Sequence, residues 1–111
     1  MATAGRCGWA DRILVSGTTA THGSGEVVCP GDARAQTTYA LDKVAAAVAA
    51  LGGRLDDVVR TRIYVRDAAA QWEGVARAHG RFFGEIRPAN TLVEARLVGE
   101  GYEVEAEAVV G

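Results

Sequence analysis

With 111 residues, 49% of them apolar, the chain can build one hydrophobic core and is too short for two, so residues 1–111 are expected to form a single domain. Twelve Lys and Arg against fourteen Asp and Glu leave a formal charge of −2 with the basic residues scattered, which argues against a nucleic-acid partner. No apolar run matches a membrane span, the opening MATAGRCGWADR lacks the apolar core of a signal peptide, and Cys7 and Cys29 have no CxxC spacing. A cytoplasmic protein with free thiols, no membrane contact and no structural metal is therefore expected.

RILVSGTT, from Arg12, is rich in β-formers and stops at Gly17. THGSGEVV then reads as a loop and a short returning strand, so a hairpin is expected to open the fold. Pro30 and Asp32 start a helix that Gly52-Gly53 stops, from about Asp32 to Leu51, with Leu41, Val44, Val48 and Leu51 on one face. Its alanines favour helix and permit close approach to a sheet. DDVVRTRIYVRD alternates: Val59, Thr61, Ile63 and Val65 are expected on a core face, with Val58, Arg60, Arg62, Tyr64 and Arg66 opposite.

In AAAQWEGVARAHGRFFG, the residues Trp72, Val75, Ala76, His79, Phe82 and Phe83 recur at helical spacing and define a second amphipathic helix closed by Gly84. His79 lies on the apolar stripe, where a packed, hydrogen-bonded ring is favoured over proton transfer. NTLVEARL and GYEVEAEAVV read as two strands joined as a hairpin through Gly99 to Gly101. In the last strand Val104, Ala106, Ala108 and Val110 share one face, and Glu103, Glu105 and Glu107 the other. The order β, β, α, β, α, β, β implies a two-layer α+β domain.

Two helices cover only one side of such a sheet. The opposite side, with Arg12, Leu14, Ser16, Arg60, Arg62, Tyr64 and the three glutamates, is either a solvated face with weak cross-strand ion pairs or a surface buried against other subunits. Burial would require the arginine and glutamate rows to pair, because unpaired charges cannot leave water cheaply.

In order and spacing, DRILVSGTT, the Ala-rich helix, LDDVVRTRIYVRD, the Phe82-Phe83 pair, RPANT and the closing VEAEAVV resemble the Rid (reactive intermediate deaminase, YjgF-type) family. The resemblance implies a chorismate-mutase-like two-layer fold, one mixed β-sheet covered by two helices on one face. It further implies a homotrimer, its sheets facing inward as a barrel, with ligand clefts between subunits. Characterised relatives hydrolyse reactive enamines and imines to 2-oxo acids and ammonia without a cofactor.

In the deaminating members the place of Asn90 is held by an arginine that grips the substrate carboxylate, and a glutamate matching Glu105 holds the attacking water. Residues matching Ser16, Gly17 and Thr18 line the cleft; Phe83, Thr91 and Leu92 are carried over as further ligand-binding candidates. Trp9 is the only aromatic near the start that could stand where relatives close the cleft. Asn90 offers a neutral amide, forfeiting a charge-assisted contact of roughly 1.5–3 kcal/mol, about ten- to a hundredfold in affinity. Arg87 is a candidate stand-in, although Pro88 biases it toward an extended backbone.

The departure points to a branch lacking the carboxylate-binding arginine, with a small neutral or weakly polar metabolite in the cleft. Three readings remain open. They are retained imine or enamine hydrolysis on a non-acidic substrate, a non-catalytic small-molecule-binding or interaction module, and a different reaction in the same cleft.

Overall fold

A computed structural model describes residues 12–111 and the backbone course of Ala4–Arg6. In chain order the elements are β1 (Ala4–Arg6), β2 (Ile13–Thr18), α1 (Ala33–Ala50), a short 3-10 turn (Leu55–Asp57), β3 (Val58–Val65), α2 (Ala68–Phe83), β4 (Ala89–Glu94) and β5 (Val104–Val110). They form a five-stranded mixed sheet of order β1-β2-β5-β3-β4 in the described residues, with α1 and α2 packed together on one face. Among the described strands only β3 and β4 pair in parallel, because α2 carries the chain back over the sheet between them. This is the two-layer α+β arrangement expected.

Both helices begin where a carboxylate caps them. Asp32 Oδ1 accepts from the Ala35 N–H at 2.9 Å, and Asp67 Oδ1 from the Ala70 N–H at 3.2 Å. Ala40, Leu41, Val44 and Val48 of α1 are buried against Ile13, Val15, Ile63, Val65 and the alternating Val104, Ala106, Ala108 and Val110. The small side chains of β5 let the helix approach its central position in the sheet. Buried Gln36 fastens this layer to the loops: its Nε2 donates to Val28, Cys29 and Gly101 carbonyls, and its Oε1 accepts from the Glu103 N–H at 2.7 Å.

Several expectations are corrected. No opening hairpin forms after β2; the loop closes through one bridge, Thr21 to Val27, and β2 pairs with β1 and β5 instead. The closing segments are no hairpin either, since β4 and β5 lie on opposite sides of β3. At the start of β3 a register shift between Val58 and Arg60 reverses the alternation, so Val58 is buried and Val59 is 50% exposed. Glu103 leaves the outward row: Gln71 of α2 donates to its Oε1 at 2.8 Å. Cys29 is an exposed free thiol, whereas Cys7 lies outside the described residues.

Candidate functional site

The expected site residues separate onto the two faces of the sheet. Asn90 pairs in register with Thr61, and Thr61 faces the helices. Asn90 Nδ2 donates to Thr61 Oγ1 at 2.9 Å, and Thr61 Oγ1 is 2.8 Å from His79 Nε2 on α2. Three side chains from β4, β3 and α2 thus form one hydrogen-bonded row. His79 stacks at 4.8 Å against the buried ring of Phe83, and burial pushes its pKa below the ordinary histidine value. A packed, hydrogen-bonded ring is what its place on the apolar stripe led one to expect.

The row borders a cavity of about 300 Å³ between α2 and β4, walled by Ile63, Trp72, Val75, Ala76, Gly80 and Leu92 together with His79 and Asn90. Among the described residues, no charged side chain lines it. A depression of about 700 Å³ near the end of α2, walled by Asp56, Arg81 and Glu85 among others, is larger but holds none of the expected site residues. The smaller cavity is the better candidate, because apolar walls with a few convergent polar groups suit a small ligand.

On the other face, Glu105 lies opposite Tyr64 of β3. An irregularity of β2 between Val15 and Thr18 brings Gly17 against the Glu105 carboxylate, which a side chain at position 17 would displace. Gly17 and Glu105 are therefore neighbours on this face. The neighbouring ion pair is Arg62 to Glu107 at 3.7 Å, with the Tyr64 hydroxyl 3.4 Å from Glu107. Contact with Tyr64 and then the Glu107 charge favour the charged Arg62 guanidinium, raising its pKa. Among the described residues, neither Arg60 nor Arg62 forms an ion pair with Glu105.

Other candidates are placed differently. Thr18 is fully buried, its Oγ1 donating to the Ser16 carbonyl at 2.9 Å, so it supports the β2 irregularity rather than offering a ligand contact. Phe83 is a core residue, one ring behind the cavity wall. Thr91 pairs with Arg62 and shares the open face, while Leu92 lines the cavity. Ser16 is exposed on β2.

Arg87 corrects the expected extended backbone: its φ is +54°, and its N–H donates to the Phe83 carbonyl at 2.9 Å, closing α2. Its side chain is not among those lining the cavity. Trp9 lies outside the described residues. The residues that the sequence did not single out for the site are Thr61 and Trp72, since a buried strand threonine and a helical tryptophan both read as core.

A two-layer α+β fold with a mixed sheet bare on one face defines the structural class, and comparison with known proteins gives the family. The family model described as Endoribonuclease L-PSP matches residues 7–111. The chain belongs to this family, that of the YjgF-type Rid proteins. The 3-aminoacrylate deaminase RutC of Acinetobacter baylyi is 34% identical over 101 residues, covering 90% of this chain and 79% of that protein. Among solved structures, Rv2704 of Mycobacterium tuberculosis, a member of the YjgF/YER057c/UK114 family, is 40% identical with a TM-score of 0.77, covering 89% of this chain and 77% of the other. The YjgF gene product of E. coli is 30% identical with a TM-score of 0.80, covering 94% and 83%.

Proposed function

We propose that the chain assembles as a homotrimer whose inter-subunit clefts bind a small uncharged enamine or imine and hydrolyse it to a carbonyl compound and ammonia. The observation that carries this reading is the separation of the candidate site. Asn90 and Leu92 face the helix side at the exposed edge strand β4, whereas Gly17 and Glu105 lie on the open face. Because β3 stands between β4 and β5, one chain does not bring these groups to one ligand. A neighbour docked along β4 would complete the cleft by setting its own Glu105 and Gly17 against Asn90.

In such a cleft the imine carbon is already electrophilic, so the protein's work is to position reactants and move protons. An enamine first takes a proton on carbon to become the imine. Glu105 then accepts a proton as the water oxygen bonds to the imine carbon and returns it to nitrogen, giving a carbinolamine. The carbinolamine's hydroxyl proton passes through the same carboxylate to nitrogen as the carbon–nitrogen bond breaks, leaving the carbonyl and ammonia. RutC, by its name, acts on an enamine, 3-aminoacrylate, which supports this reaction class. The neutral Asn90 row, in the place where the family resemblance leads one to expect an arginine, favours a substrate without the carboxylate that a bidentate arginine would hold.

The test couples light scattering to ammonia release. The expected result is a trimer that accelerates hydrolysis of neutral imines generated in the assay more than that of 2-imino acids, with the acceleration lost in Glu105→Ala. A monomer at micromolar concentration, or a trimer inactive on both substrate classes, would overturn the reading.

A further inference from the structure

We propose that the cavity between α2 and β4 reads the edge of an amide: a ligand presenting a C=O acceptor beside an N–H donor, as in a carboxamide, a lactam or the vinylogous amide of an enaminone. This deepens the functional reading above by naming the chemical group bound, and it rests on that reading only for the neighbouring wall.

The inference follows from where the protons must lie. Asn90 approaches both Thr61 Oγ1, at 2.9 Å, and the Thr61 carbonyl oxygen, at 3.5 Å. A carbonyl only accepts, so the amide turns its NH2 toward Thr61 and its Oδ1 away, as a free acceptor on an exposed side chain. Thr61 Oγ1 accepts from Asn90, and among the described residues the one other side-chain group within its reach is His79 Nε2, at 2.8 Å. The hydroxyl proton therefore goes to Nε2, which leaves the ring's own proton on Nδ1. Burial favours this uncharged ring.

Among the described residues, no buried side-chain nitrogen or oxygen lacks a partner. Nδ1 has no acceptor there, so it is accessible, on a ring that lines the cavity. The row consequently presents one donor and one acceptor, His79 Nδ1–H and Asn90 Oδ1, against apolar walls from Ile63, Trp72, Val75 and Leu92. An amide edge satisfies both. A carboxylate satisfies only the donor, repels the Asn90 oxygen and loses its hydration without meeting a cation.

Benzamide and benzoate test this, because they share a shape and differ in charge and in the N–H donor. Binding is followed on the intact protein at pH 7.5 by the indole N–H signal of Trp72 and the ring signals of His79, with light scattering on the same samples. Benzamide is expected to bind at least tenfold more tightly than benzoate; Asn90→Arg should invert the preference, and Trp72→Ala should weaken both ligands while leaving their ratio. Equal affinities, a preference for benzoate, no benzamide binding up to its solubility, or a ratio unchanged by Asn90→Arg would each overturn the proposal. A monomer that retains the preference would refute the trimer and leave the amide reader standing; a trimer without the preference would do the reverse.

Discussion

Strands β4 and β5 hydrogen-bond to the two edges of the same strand, β3, yet β5 alternates buried and half-buried residues along its whole length while every residue of β4 is exposed. The difference lies in what surrounds them. β5 is flanked by β2 and β3 and roofed by α1, so the chain itself satisfies its backbone and buries one of its faces. Among the described residues β4 has a strand partner on one side only, and it carries exposed Leu92 and Val93, the kind of edge that natural proteins cover or blunt. One strand finishes the fold, and the other leaves its side chains exposed at the edge of the sheet.

The largest expected effect breaks the finished side. Ala106 is 1% exposed at the middle of β5, with no room or cation for a carboxylate. Ala106→Asp should therefore cost more than about 3 kcal/mol, read as a collapse of the urea midpoint, because it buries an unpaired charge in the core.

The same contrast explains what could be read from the sequence. VEAEAVV was legible because burial on one face imposes strict alternation, and α1 because Asp32 and Gly52 mark its ends. Pairing was not legible. The Gly99 to Gly101 turn looks like a hairpin connection, but the parallel crossover through α2 delivers β4 to the far side of β3, a choice made by long-range packing. The β-bulge that exchanges Val58 and Val59 left no mark in a run of two valines. At the site, Asn90 and Glu105 became candidates only through the resemblance of their segments to the family. The partner that fixes Asn90, Thr61, reads locally as one more core-facing β-branched residue. Arg87 shows tertiary closure of a helix overriding the preference that proline imposes on the residue before it.

Cutting the hydrogen-bonded row should have an intermediate effect. Thr61→Val keeps the shape but takes away the partner of the partly buried His79 Nε2, at a cost of about 1–2 kcal/mol in chemical denaturation, whereas Thr61→Ser should recover most of it. A loss in Thr61→Ser with none in Thr61→Val would mean that Thr61 matters through packing alone.

A smaller effect should appear with pH. Burial lowers the His79 pKa in the folded state, so between that value and the unfolded value near 6.5 the unfolded chain binds more protons. The stabilisation from neutral His79 is complete above the unfolded pKa and declines as pH falls through the window between the two values. Thermal unfolding between pH 8 and 5 should show Tm decreasing toward acid, with a shallower slope in His79→Gln; an identical slope in the variant would remove His79 as its source.

The smallest effect on folding should come from β4, and there it separates folding from assembly. Val93 is 36% exposed and lies opposite Tyr64 on the open face, so Val93→Glu leaves the core untouched and should change the stability of an isolated chain by no more than about 0.5 kcal/mol. If a neighbour covers this face, however, the added carboxylate must either be desolvated without a partner or hold the subunits apart. The expected outcome is a folded protein whose light-scattering mass falls from that of a trimer to that of a monomer, with circular dichroism unchanged. An undiminished trimer would move the subunit contact off β4. The exposure of Leu92 and Val93 would then have to be explained by the amide-reading cavity alone, which accounts for Leu92, on the helix side, but not for Val93 on the other face.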